Sequence, residues 1–297
     1  MLDADTIEQT GELAGVMRAA AFVDPRDIPT RFTLLKQMAE CPAKYLDACQ
    51  RDQDDSLASR LGGATHARDR KEMYRFGTAV HAFTFETGEV AVFTGARRAG
   101  KEWDAFRADA ADRGCVEILN VRENALALEV SAAIRRNKTA MRLLDEDAVE
   151  REKRIDWEWL TKACRSTPDA RGRTYIVDLK TTQSANPTLF VRQGARLYYH
   201  CQAALYRRAV EAAGHPAPSD AYVIAVEKSP PYPVTVMRFV EDTLDLGDRM
   251  TRLWMERLLQ CEVANAWPEY SAAIVDFAID ADASPFVVEI DGEKIEV

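Results

Sequence analysis

Apolar residues recur at helical spacing through the first half of the chain. In TRFTLLKQMAECPAKYLDACQ, Phe32, Leu35 and Met38 share one face and Tyr45 and Leu46 follow, while Pro42 predicts the end of one helix and the start of the next. YRFGTAVHAFTFE, with Gly77 as its weak point, and GKEWDAFRADAADRG, with Gly114 as a C-cap, predict two more helices. ENALALEVSAAIRRNKTAMRLL, rich in strong helix formers, predicts another.

The period then changes. RIDWEWL alternates, with Ile155, Trp157 and Trp159 on one face and Asp156, Glu158 and Leu160 on the other. TKACRSTPDARGR reads as a long hairpin loop, and YIVDLKTT as the returning strand. On that strand Tyr175, Val177 and Leu179 share one face, which puts Ile176, Asp178 and Lys180 on the other. A long helical run, LFVRQGARLYYHCQAALYRRAVEAAG, ends at Gly214. AYVIAVEK and YPVTVMRFV predict two strands around Pro230-Pro231, and DRMTRLWMERLLQCEVANA a closing helix. PFVVEIDGEKIEV predicts a terminal hairpin with Asp291-Gly292 in a type I′ turn. Helices, then strands, a helix and more strands make an α/β or α+β layer fold.

The 297 residues suffice for one large domain or two modest ones, and 47% hydrophobic with 29% charged residues is ordinary for a globular protein. No apolar run approaches the ~20 residues of a membrane span, and the acidic N-terminus lacks a signal-peptide pattern, so a cytoplasmic protein is expected. The six scattered cysteines form no CxxC pair, which argues against a disulfide framework, a zinc knuckle or an iron–sulfur cluster. A formal net charge of −9 counts against a nucleic-acid partner. The clusters HARDRKEMYR, IRRNK and EREKR still allow a local basic groove on an acidic body.

An isolated Asp-x-Lys reads most simply as an ion pair on a half-exposed strand. Asp156 changes that reading, because a hairpin between RIDWEWL and YIVDLKTT would bring it close to Asp178. Two adjacent carboxylates repel unless one is protonated or a cation lies between them. Mg²⁺ suits such oxygen ligands, and a neighbouring lysine could stabilise the anionic transition state of phosphodiester hydrolysis. His81 is either a hydrogen-bonded helix histidine or an imidazole ligand that widens tolerance toward Mn²⁺. Gln202 and Tyr206, spaced i and i+4, are either the polar edge of an amphipathic helix or a pair orienting phosphate or lysine.

His81, Asp156, Asp178-Leu179-Lys180 and Gln202-x-x-x-Tyr206 in this order resemble the PD-(D/E)xK nuclease superfamily, and within it the RecB-like and exonuclease VIII (RecE-type) phage recombination exonucleases. Cys41-Pro42-Ala43-Lys44-Tyr45, Gly77-Thr78-Ala79-Val80-His81 and Arg97-Arg98-Ala99-Gly100-Lys101-Glu102-Trp103 resemble segments of that group. So do Val226-Glu227-Lys228-Ser229-Pro230-Pro231-Tyr232 and Trp267-Pro268-Glu269-Tyr270. The resemblance spans about Thr30 to Tyr270. It implies a restriction-endonuclease-like core, a mixed central β-sheet flanked by helices, in a single nuclease domain. That domain would divide into a helical part to residue 75, a core from 76 to 270 and a C-terminal extension from 271.

The resemblance further implies a bacterial or phage-encoded, Mg²⁺- or Mn²⁺-dependent exonuclease that digests linear double-stranded DNA from 5′ to 3′. The 3′ single strands would pass to a single-strand annealing protein, and the enzyme would form a homo-oligomeric ring. By this carry-over His81, Asp156, Asp178 and the Leu179 carbonyl hold metal, Lys180 is catalytic, and Gln202 and Tyr206 support the DNA backbone. Arg31 and Arg154 are candidates for DNA contact by position only. The gap from Asp156 to Asp178 is longer than the resemblance predicts, and the acidic strand before it shrinks to Val149-Glu150. An endonuclease, a CRISPR- or repair-type nuclease, and a non-catalytic DNA-binding module are the alternatives.

Overall fold

The computed structural model describes residues 24–60, 68–275, 287–290 and 293–296, of which 53–60, 68–73, 287–290 and 293–296 are described by their backbone alone. The described residues begin with a 3₁₀ turn over Pro25–Asp27, followed by a short helix α1 (Phe32–Leu35), a second 3₁₀ turn over Lys36–Ala39, and α2 (Pro42–Arg60), which starts at Pro42 as expected. Helix α3 (Arg68–Phe85) follows, then β1 (Val90–Phe93), α4 (Lys101–Asp112) and β2 (Glu117–Asn120), the two strands pairing in parallel. Gly114 has φ of +72° just past α4, the left-handed conformation a C-cap glycine supplies. The next expected helix is divided: α5 (Val121–Arg136) ends at Asn137, whose side chain caps α6 (Lys138–Met141).

Five strands form the central mixed sheet, in the order β3 (Glu150–Arg151), β6 (Ala170–Arg171), β7 (Tyr175–Thr182), β8 (Asp220–Glu227) and β9 (Val234–Arg238). Only β7 and β8 are parallel. Helices α7 (Pro187–Arg196) and α8 (Tyr199–Ala212) make the crossover between them. They break at Tyr198, whose φ of +61° ends what the sequence reads as one run. Helix α9 (Glu241–Ala264) packs along α8. At their crossing a Cβ on Gly247 would lie 2.4 Å from the His200 carbonyl oxygen, so the contact requires glycine.

The two-residue period of β7 sorts its residues as expected. Tyr175, Val177 and Leu179 pack with Ala79, Val80, Val130 and Ile134 of α3 and α5, whereas Ile176 packs with Ala203, Tyr206 and Val210 of α8. The sheet therefore lies between two helical layers.

The expected hairpin between RIDWEWL and YIVDLKTT does not form. Strand β4 (Ile155–Trp159) turns back at once into β5 (Lys162–Ser166), in a separate two-stranded sheet. Leu160 and Thr161 both have positive φ, at +49° and +71°, which is the backbone of a tight type I′ connection. This hairpin buries Trp157, Trp159 and Cys164 against Phe32, Leu35, Tyr45, Trp254 and Leu258. Lys162 is buried and donates to the Pro25 carbonyl at 2.9 Å and to Glu262 Oε1 at 2.5 Å. It thereby ties β5 to the start of the described chain and to α9.

The segment read as a loop, 161–173, thus supplies β5 and β6. The terminal hairpin is present as β10 (Val287–Ile290) and β11 (Glu293–Glu296), paired antiparallel, while Asp291-Gly292 lies outside the described residues. So does part of the basic stretch from His66 to Arg75. All six cysteines are free. Among the described residues no helix is long and apolar enough to cross a membrane.

Candidate active site

Strand β6 is only two residues long, pairing Ala170 with Val177 and Arg171 with Ile176. One further step of this antiparallel register sets Asp169 opposite Asp178. Beyond the end of β6 the Leu179 N–H has no strand acceptor, and the Asp169 carboxylate takes it, Leu179 N donating to Oδ2 at 2.5 Å. A β-ladder that stops one pair early therefore binds a carboxylate at its end.

Helix α3 delivers His81 to the same point. Its Nε2 lies 3.0 Å from the Leu179 carbonyl oxygen, and its Nδ1 lies 3.4 Å from Glu152 Oε1 and 3.7 Å from Asp169 Oδ1. On the other face of β7, Lys180 Nζ meets Asp178 Oδ2 at 2.6 Å and stands 5.2 Å from the centre of the Tyr199 ring. Helix α8 adds Gln202 and Tyr206, with Gln202 Nε2 donating to Tyr206 Oη at 2.9 Å. The i, i+4 spacing thus joins this pair directly, close enough to the carboxylates for their charges to act on the phenol.

The electrostatics follow from crowding. Burial, reinforced by the charge of Asp178, raises the Asp169 carboxyl to about 6 despite His81 and Lys180. Burial alone would lower His81, but Asp169, Glu152 and Asp178 outweigh it and raise the imidazole to about 9. Hydrogen bonding to His81 keeps Glu152 below the usual carboxylate range. Desolvation opposes the charge on Lys180, yet Asp178 and Asp169 overcome it and push the ammonium upward, so Lys180 stays cationic. Burial and the two aspartates raise the Tyr206 phenol, which stays protonated.

Asp156 is corrected by this geometry. Its side chain is 57% exposed on the separate β4–β5 hairpin and pairs with Arg154 at 2.8 Å and Arg165 at 3.3 Å. The carboxylate beside Asp178 is Asp169. Nor do Arg154 and Arg31 join the cluster: the first is held by Asp156, the second by Asp52 and Thr33. Glu150 pairs with Arg171 and Lys153, and it is Glu152 that reaches His81. The signal for Asp169 stands in the sequence as Pro168-Asp169, nine residues before Asp178, a shorter gap than the one measured from Asp156.

Two carboxylates, a main-chain carbonyl and an imidazole form a hard, mostly oxygen donor set of the kind that suits Mg²⁺ or Mn²⁺. Burial first, and then the charge of Asp178, raise the Asp169 carboxyl, and a cation between the two aspartates would offset both. As the side chains stand, Asp178 is drawn to Lys180 and His81 to Leu179, and among the described residues no three His, Cys, Asp or Glu side chains are arranged so as to hold a metal ion.

A mixed sheet presenting Asp169, Asp178 and Lys180 at the end of a short ladder defines a protein of the PD-(D/E)xK class. The sequence bears this out: residues 32–276 match the model of a family described as a PDDEXK-like domain of unknown function, and the chain belongs to that family. The fold is similar to the crystal structure of a Eubacterium rectale protein described as a "Putative exonuclease", with a TM-score of 0.53 and 15% identity. That similarity covers 88% of this chain and 95% of the other. No curated protein matches the sequence.

Proposed function

We propose that the protein is a metal-dependent deoxyribonuclease acting on the ends of linear duplex DNA. The observation that carries this reading is that Asp169, just before β6, stands beside Asp178 and Lys180 of β7. Asp169, Asp178 and the Leu179 carbonyl would hold the metal, with His81 beside them. When bound there, a hard divalent cation supplies Lewis-acid polarisation of the phosphoryl oxygens.

The chain's own groups supply the rest. Lys180, kept cationic by its aspartates, offers fixed positive charge to the developing negative charge on phosphorus-bound oxygen. That role favours electrostatic stabilisation over proton abstraction, which would need a neutral amine. Tyr206 stays protonated and is oriented by Gln202, which suits it to support a phosphate of the DNA backbone. Glu152 holds His81 from the side away from Leu179.

Digestion from 5′ to 3′, with 3′ single strands passed to an annealing protein, is the finer reading and draws on the resemblance to RecE-type enzymes. The test is duplex DNA labelled at either the 5′ or the 3′ end, beside a closed circular plasmid, with Mg²⁺ or Mn²⁺ and with chelator. Metal-dependent loss of linear DNA, early release of the 5′ label and an intact circle are expected. A cut circle would favour the endonuclease alternative. DNA binding without hydrolysis of either substrate would overturn the enzymatic reading.

A further inference from the structure

Beside the active site lies a chamber of about 270 Å³ that the proposed hydrolysis does not use. It is enclosed by α7, the start of α8, strands β8 and β9, and the first turn of α9, with Phe190, Tyr199, Val223 and Phe239 among its walls. Tyr199 is shared: the same ring lines the chamber and faces the Lys180 ammonium at 5.2 Å. Gly194 makes room for that ring, since a Cβ there would lie 3.0 Å from Tyr199 Cδ2.

His200 also lines the chamber. It is 8% exposed, and its Nε2 is buried without a hydrogen-bond partner among the described residues. A polar atom in that condition weakens a fold, and an apolar side chain of similar size would avoid the cost. Burial holds the imidazole below its usual range and so neutral, and a neutral ring nitrogen can donate or accept according to tautomer.

We propose that this chamber is a nucleobase pocket, which takes the base of the nucleotide whose phosphate faces Lys180 and hydrogen-bonds the edge of that base to His200 Nε2. The walls decide the chemical class. Phe190 and Tyr199, with ring centres 5.7 Å apart, offer aromatic surface to a flat ring. An aliphatic ligand would leave His200 unsatisfied. A charged one would find only Arg238 in the lining, which is mostly exposed and paired with Asp220. The volume lies below the roughly 300–1,000 Å³ of drug-sized sites, which suits a single base. The assignment of the base to the reacting nucleotide rests on the nuclease reading; the pocket itself does not.

The test uses the full chain with chelator present. Free dAMP, free dTMP and, as a baseless probe, 2-deoxyribose 5-phosphate are titrated into wild type, His200→Leu and His200→Gln by calorimetry. Nucleotides should bind wild type, the baseless probe should not, and His200→Leu should bind nucleotides about tenfold more weakly, while His200→Gln recovers most of the affinity. Val191→Phe, at an exposed position in the lining, narrows the chamber without touching the core and should weaken dAMP as well. In a second arm, KM for linear duplex should rise in His200→Leu with intact terminal nucleotides and stay unchanged with abasic ones. Nucleotide binding that ignores both His200→Leu and Val191→Phe, or equal binding of the baseless probe, overturns the pocket. Hydrolysis of DNA by wild type with no dAMP binding overturns the pocket and leaves the nuclease reading intact. Binding of dAMP without metal-dependent hydrolysis does the reverse.

Discussion

Replacing Asp169 by Asn keeps the side chain's shape and an oxygen that can accept from the Leu179 N–H, now held at 2.5 Å, but removes the charge. Two opposite effects should follow. The carboxyl is 14% exposed and is raised from an ordinary 3.8 to about 6. At 1.36 kcal/mol for each pKa unit, ionising it inside the fold at neutral pH costs about 3 kcal/mol. An acid raised in the fold is favoured protonated, so this cost is absent below about pH 4 and complete above about pH 6. In chelator at pH 7.5, Asp169→Asn should therefore be more stable by up to about 3 kcal/mol, or roughly 6 °C in Tm for a chain of this size. The difference should shrink at pH 5. On labelled linear duplex with Mg²⁺ or Mn²⁺, the same variant should lose at least about 10³-fold in rate, because one of the two carboxylates proposed to hold the metal is gone. Asp156→Asn, changed on the exposed hairpin, should hydrolyse DNA like wild type. An active Asp169→Asn, a destabilised one, or an inactive Asp156→Asn would refute this assignment of the two aspartates.

Lys180→Gln should retain binding of linear duplex in a filter assay within a few fold while kcat falls about 10²–10⁴-fold, the range expected when a single charged catalytic group is removed. Lys162→Met strands Glu262 as an uncompensated buried charge and should cost about 3–5 kcal/mol by urea unfolding, most of it recovered when Glu262→Gln is added. Gly247→Ala should force α8 and α9 apart and lower stability by about 1–3 kcal/mol, since its Cβ would meet backbone rather than a movable side chain.

How much of this was legible in the sequence depends on element length. The two faces of β7 follow from an eight-residue alternation, and the structure keeps them on opposite helical layers. Strand β6 has two residues, too few for any period, so Pro168-Asp169 reads as loop although it sits at the centre of the site. The β4–β5 turn was hidden for another reason. Leu160 and Thr161 adopt positive φ without the Asn or Gly that usually announces it, because burial of Trp157 and Trp159 on β4 and of Cys164 on β5 in one core overrides local preference. Without a local signal for that turn, the alternation of RIDWEWL points to YIVDLKTT as its partner and carries Asp156 with it, whereas β4 pairs with β5. Glu152, at φ of +44°, precedes β4 with no pattern to mark its contact with His81.

The lysine at position 162 has a bearing on how the protein can be shortened. Its ammonium is held by carbonyls of Pro25 and Arg26 and by Glu262, which stand far apart along the chain. A chain begun at Phe32 would keep the whole of the family match and every residue of the site, yet it would strip from Lys162 two of its three hydrogen-bond partners and the segment that covers it. Trimming by family boundary would thus turn a satisfied interior cation into a partly uncovered one, and a shortened chain that keeps this tie starts no later than Pro25.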